Sequence, residues 1–408
     1  MSPLVRFARS TFSSLATRNF RLYFLGQSVS LAGGWVQSVA QSWLVLNLTD
    51  SGAALGLVSA LQFAPSLLLG PYAGVIADRL PKRRLLVFTQ AALGAVALTM
   101  GVMVATGTIR TWTVYAAAGV LGLINAIDYP TRQAFLYELA GPKRIISAVG
   151  LHGTVVNVTR VVGPALAGAL IAVGGLAACF LVNAASFAFV IVCLSLIRAG
   201  ELHTAEHDVK PGGLAEGFDY AARTPIVRES LVMMAVIGVL VFEFSVTLPL
   251  LARYVFAGDA SALAYLMSAM GIGAVAGGLI TAGRRGDGLG RLAFAALGFG
   301  GFTALTGAAP TIHVAAILMG VTGFFSARFT GVSNSILQLK SEPVMRNRVI
   351  ALWSSAFLGS TFIGAPLLGW IGEQFGGRVP LIAGGLVGGI VAAAVGLAGR
   401  RAYLETIR

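Results

Sequence analysis

Apolar runs, each closed by a short polar turn, follow one another along nearly the whole chain. A run of about 20 residues is what an α-helix needs to cross a bilayer. On that criterion helices are predicted near 20–48, 54–77, 84–106, 112–136, 145–173, 176–197, 229–252, 260–282, 291–309, 312–338, 348–372 and 379–399. The expected fold class is all-α and integral to a membrane, with twelve transmembrane helices. One polar interval is longer than the rest. Residues 198–228 hold Glu201, Glu206, Asp208, Lys210, Glu216, Asp219 and a Pro-Gly-Gly, and they divide the chain into a first half, 1–197, a linker, 198–228, and a second half, 229–408. Within the linker, Leu214 to Ala222 can form a short helix lying on the membrane.

The two six-helix halves repeat weakly at an offset of 201 residues. Gly70 matches Gly271, Arg83 and Arg84 match Arg284 and Arg285, and Gly163 and Gly168 match Gly364 and Gly369. Asp78 has no counterpart, since Leu279 stands in its place. A duplicated helical array of this kind places substrate and ion sites near the bilayer midplane between the repeats.

Composition agrees with the pattern: 56% of residues are hydrophobic and 11% charged, against about a quarter charged in a soluble domain. The net charge of +13 would suggest nucleic acid in a soluble protein, so its location decides its meaning. With the turns read alternately as inside and outside, 24 of the 29 Lys and Arg fall in the termini and the even-numbered connections. Arg110, Arg253 and Arg378 fall outside, and Arg160 and Arg328 lie within apolar runs. The charge therefore reports topology, with both termini cytoplasmic, and contact with anionic lipid; nucleic acid is not an expected partner. Met1 to Asn19 is basic and precedes a run too long for a signal-peptide core, so it is read as retained. Cys179 and Cys193 lie about 21 Å apart along one helix, too far to pair, and no metal-ligand spacing occurs.

The turn after the second run reads Gly74-Val75-Ile76-Ala77-Asp78-Arg79-Leu80-Pro81-Lys82-Arg83-Arg84. Its glycine lets a helix end approach a neighbour closely, and its basic residues mark the cytoplasmic side. This Gly-x-x-x-Asp-Arg-x-x-Lys-Arg-Arg spacing resembles the signature loop between the second and third helices of the major facilitator superfamily, with Pro81 where that family usually has glycine. In that superfamily a loop aspartate, a loop basic residue and an acid at the end of helix four form a cytoplasmic gate. The resemblance implies such a gate here from Gly74, Asp78, Lys82, Arg83, Asp128 and Arg132, with Arg328, one residue from the repeat position of Asp128, as a further member. The other reading of Asp128 is a helix ending at Pro130 with a solvated carboxylate.

Gln27, Ser30, Gln37 and Gln41 share one face of the first helix, either lining a cavity or bonding neighbouring helices. Gln37, Gln41, Asn157 and Trp353 are the candidates for a substrate cavity. Helix five carries Gly150 and then Gly163-Pro164-Ala165-Leu166-Ala167-Gly168, which resembles the antiporter motif of superfamily exporters with Thr159 and Ala167 in place of glycines. Packing explains the small residues and the proline bend; it does not explain Arg160, since a charge near the midplane costs about 2.5–3.5 kcal/mol on insertion scales unless paired or wet. Glu243 is the other midplane charge. It is the candidate proton carrier, with its approach to and separation from Arg160 as a coupling device; the alternative is a permanent structural ion pair.

Together, Asn19-Phe20-Arg21, Asp78-Arg79, Asp128-x-Pro130-x-Arg132-Gln133-Ala134, Asn157-x-x-Arg160-x-x-Gly163-Pro164 and Asn183-x-x-Ser186-Phe187 resemble the enterobactin-exporter-like branch of the superfamily, which includes siderophore and multidrug efflux proteins. The resemblance implies a proton-driven exporter of small organic molecules in a bacterial inner membrane, working as a monomer. Arg160 and Arg328 against Glu243 suit an anionic or neutral ligand such as a siderophore better than a cationic dye. A proton-coupled uptake symporter and a non-transporting membrane sensor are the other readings. No phosphate-binding glycine motif of the ATPase type occurs, so the proton gradient is the expected energy source and no cofactor is expected. Paired carboxylates and His clusters at catalytic spacing are also absent, which argues against an enzyme.

Overall fold

A computed structural model describes residues 12–203, 214–282 and 288–407; the side chains of 71, 73–78, 214–215, 282, 347 and 398–407 lie outside the description. The regular elements among the described residues are all helices, without strands. In order they form α1 (Arg18–Thr49), α2 (Gly52–Arg79), α3 (Lys82–Ala105) and a helical run, Thr111–Ser195. That run is three helices, because Gly141 and Gly175 take positive φ (64° and 67°) that breaks it twice. Residues 111–140 are α4, 142–174 are α5 and 176–195 are α6. A linker helix, Leu214–Arg223, precedes the second set. There α7 (Pro225–Val255) is followed by α8 (Ala260–Ala282), α9 (Leu289–Ala308), α10 (Ile312–Lys340), α11 (Arg346–Phe375) and α12 (Val379–Ile407).

Among the described residues nine helical stretches are long and apolar enough to cross a membrane, and the 85-residue stretch Thr111–Ser195 counts as one of them. Divided at its two glycines, and with the 32-residue α1 added on length, the set is consistent with the twelve spans of the sequence pattern. α1 falls short in hydropathy because it carries many polar residues, and Gln27, Ser30, Gln37 and Gln41 among them are all buried in protein.

The chain groups into two compact units, residues 1–44 with 64–209, and 45–63 with 210–408. In the first, Phe20 and Tyr23 of α1, Leu86 of α3, Phe135 and Leu136 of α4, Leu151 of α5 and Leu194 of α6 form one core cluster. Lipid tails are as apolar as these side chains, so tight van der Waals contact does the joining. Gly163 of α5 shows how: a Cβ there would strike the Cβ of Trp35 in α1 and come 3.1 Å from its ring.

The second unit repeats that device at the related position. Gly364 of α11 lies against the backbone of Val239 in α7, so each unit seats a glycine of its fifth helix on its first. α8 and α10 cross backbone to backbone, Gly323 against Met270 and Gly277 against Phe324, and α9 meets α12 through Gly300 and Gly385. The linker helix docks on α11, where Glu216 pairs with Arg348 at 2.5 Å and the Tyr220 hydroxyl accepts the Glu342 N–H at 3.0 Å.

At the opposite end of this unit the start of α2 is tied to α11. Glu373 accepts the Ser51 hydroxyl at 2.5 Å and the Ala53 N–H at 2.9 Å, capping α2 from another helix. A Cβ on Gly56 would come 2.5 Å from Pro366. Beside this tie, Arg253 reaches Asn47 at 2.9 Å and Asp50 at 2.8 Å.

Candidate functional site

Ionisable and amide groups enclosed in the helices form three sets. The first lies between α1, α3 and α4. Asp128 is fully buried and accepts the Thr89 hydroxyl at 2.6 Å and the Gln90 amide at 2.8 Å, while pairing with Arg132 one turn along its own helix. Arg132 in turn donates to Gln27 Oε1 at 2.8 Å. α4 does not end at Pro130 but continues to residue 140, so the solvated-carboxylate reading of Asp128 does not hold. Lys82 and Arg83 go elsewhere: Lys82 lies 3.7 Å from Glu138, and Arg83 donates to the carbonyls of Leu194 and Ser195 at 2.8 and 2.6 Å. Of the gate candidates, then, Asp128 and Arg132 are brought together. The side chains of Gly74 and Asp78 lie outside the described residues.

The second set is on α5 and α1. Arg160 lies over the Trp35 ring at 5.8 Å from its centroid, and its Nε has no hydrogen-bond partner. Pro164 has no N–H to offer the carbonyl four residues earlier, which is that of Arg160 itself. Gln37 accepts the Asn183 amide at 2.6 Å and so joins α1 to α6, the interhelical role. Gln41 is buried with its Nε2 unpartnered, and Asn157 is exposed, bonded to the Gly153 carbonyl of its own helix at 2.8 Å. The motif glycines differ: Gly163 is pressed on Trp35, Gly150 faces open space, and Gly168 is half-buried beyond the buried Pro164.

The third set is at a break in α7. The helix stops at Val241, Glu243 leaves helical geometry, and a new helix starts at Phe244. Glu243 sits in the break with 2% of its surface exposed; its Oε1 has no partner, and Thr361 of α11 is beside its carboxyl. Phe242 rests on Phe299, Phe329 and Phe357, which fills the surroundings with ring carbon. Discontinuous helices at membrane depth are where transporters build ion and substrate sites. Trp353 stacks on Phe357 and donates to Ser333 Oγ at 3.0 Å. Arg328 lies over the Phe324 ring at 5.6 Å with its Nε unpartnered and no ion pair among the described residues.

A family model described as "Transmembrane secretion effector" matches residues 9–405. The chain belongs to that family. It is a transporter of the major facilitator superfamily, not an enzyme. The chain is 29% identical over 262 residues to the staphyloferrin A transporter of Staphylococcus aureus, a match covering 63% of the chain and 66% of that protein. It is 24% identical over 364 residues to the enterobactin exporter EntS of Shigella flexneri, covering 87% of the chain and 85% of the exporter. Its fold is that of a bacterial homologue of the human lysosomal transporter Spinster, with a TM-score of 0.74 at 15% identity, over 95% of this chain and 97% of the other.

The break at Glu243, its neighbour Thr361 and the donors Thr89 and Gln90 to Asp128 are parts of these sets that the sequence pattern does not reveal. Thr89-Gln90 is a polar pair inside an apolar run and is the available signal. Nothing local marks the break, since Pro249 frees the carbonyl of residue 245, two positions beyond Glu243.

Proposed function

We propose that this transporter is a secondary active exporter of a small organic molecule, a siderophore or a drug-like compound, driven by proton antiport through alternating access. It works as a monomer in the bacterial inner membrane with both termini cytoplasmic. The observation that carries the reading is Glu243: an enclosed carboxyl at a helix break, with one oxygen unpartnered and no cation paired with it among the described residues. A group so placed changes its proton occupancy when water or a cation reaches it and changes back when it is enclosed again, which is the behaviour a coupled carrier requires. Arg160 supports the substrate half of the reading. A guanidinium resting on an indole, with an unpartnered Nε, suits a carboxylate or catecholate ligand. Export as the direction is supported by the likeness to the enterobactin exporter.

The test is proton movement in acid-loaded inverted membrane vesicles on addition of siderophores and lipophilic drugs. A pH response to one compound class, lost in Glu243→Gln while the variant keeps the thermal stability of the wild type, is expected. Retained coupling in that variant removes Glu243 as the carrier. Proton flow in the same direction as the substrate replaces antiport with symport.

A further inference from the structure

Outside the three sets just described, the first unit holds a cavity of about 490 Å³ at the start of α3, on the cytoplasmic side in the orientation proposed above. Lys82, Arg83, Arg84, Glu138, Leu202 and His203 line it. The walls are built by contacts that leave the charge in place. Arg83 caps the end of α6 through two carbonyls. His203 hangs from the Glu138 carbonyl by its backbone N–H at 2.8 Å, and its ring lies over Gly141, where a Cβ would come 2.7 Å from Nε2. Gly141 thus serves twice: its φ of 64° turns the chain between α4 and α5, and its bare Cα makes room for the ring. Three cations line it against one carboxylate, Glu138, which lies 3.7 Å from Lys82, and the positive charge that remains on the lining calls for an anion.

The outward wall says which anion. Arg84 is exposed and makes no ion pair among the described residues. It heads one face of α3 that continues, at helical spacing, through Phe88, Ala91, Ala95, Leu98 and Val102, all exposed. Phe88, one turn from Arg84, is 71% exposed. A cationic cavity opening onto an apolar stripe at a membrane edge matches a molecule with a phosphate at one end and hydrocarbon at the other. We propose that this cavity binds the phosphate headgroup of an anionic phospholipid, with Arg84 and Lys82 facing the phosphate, His203 closing over it and an acyl chain lying on Phe88. The position rests on the cytoplasmic orientation above; the binding does not.

The experiment uses the full chain, purified and delipidated in mild detergent, and reads lipid retained in native mass spectrometry. Phosphatidylglycerol, phosphatidylcholine and inorganic phosphate are the probes. Phosphatidylglycerol is expected to be retained over phosphatidylcholine, and Arg84→Gln to weaken that retention about fivefold, the order of one surface cation's contribution. Arg84→Lys should restore it. Arg84 makes no ion pair within the described fold, and Phe88→Ser gives a second variant that shortens the apolar contact and leaves the cations. Equal retention of the two lipids, or retention unchanged in Arg84→Gln, overturns the proposal. Full displacement of the lipid by inorganic phosphate overturns it too, in favour of a free-anion site. Because no gradient or substrate enters the assay, failure here leaves the transport reading standing.

Discussion

Replacing Asp128 by asparagine should destabilise the protein severely, although the two side chains have nearly the same shape. The reason is what remains behind. The carbonyl oxygen of the new amide would still accept from Thr89 and Gln90, so those two hydrogen bonds survive in weaker form. Arg132, whose side chain is 13% exposed, would keep its charge and lose its counter-ion. Removing one member of a buried ion pair costs about 3–5 kcal/mol. Gln27 remains as an acceptor for Arg132, which puts the expected loss at the lower end, about 3 kcal/mol. At roughly 2–4 °C per kcal/mol for a unit of this size, the melting temperature falls by about 6–12 °C. Thermal unfolding in mild detergent, followed by tryptophan fluorescence, measures it. The paired change Asp128→Asn with Arg132→Gln removes both charges and should recover much of the loss, giving a coupling of about 2 kcal/mol or more in the double-mutant cycle. A melting temperature unchanged in Asp128→Asn, or strictly additive losses in the cycle, would refute the view of this pair as a tie between α1, α3 and α4. A residue that acted only as a moving gate would alter the conformational equilibrium and leave the melting temperature alone.

Two further outcomes follow from the same contacts. Gly163→Val should cost about 1–3 kcal/mol, because its side chain meets Trp35 in a packed crossing, whereas Gly150→Ala, facing open space, should stay within about 0.5 kcal/mol; equal melting temperatures for the two would contradict the packing argument. Glu373→Gln should speed amide exchange at Ala53 about fivefold, the neutral amide being a weaker cap than the carboxylate even after screening at this exposed site, and exchange at the wild-type rate would show that the tie contributes nothing.

How much of this is legible in the sequence depends on range. Helix positions are legible because bilayer thickness fixes the length of an apolar run, and the breaks at Gly141 and Gly175 fall between predicted helices. The linker helix is legible from its composition, but its docking on Arg348 is not, since a contact across 132 positions leaves no local mark. α1 shows the limit most clearly. Its glutamines read as lining or as glue, and periodicity alone supports both; the partners Asn183 and Arg132 decide the matter for Gln37 and Gln27. The cationic loop likewise carries an expected side of the membrane without saying that Arg83 caps α6.

The charges that lack partners carry a different message from those that have them. Asp128 is satisfied by Thr89, Gln90 and Arg132, so its burial is explained by the fold alone. Arg160 and Glu243 are not satisfied in this way: each keeps an unpartnered polar atom, and each stands where the helix ladder is interrupted, at the carbonyl freed by Pro164 and at the gap after Val241. Stability does not call for such an arrangement, since an apolar side chain at either place would avoid the cost of burying an unpaired polar group. On the proposed function these two unpaired groups are the ones that meet a ligand and a proton, with the interruptions supplying the backbone freedom to bring either one in.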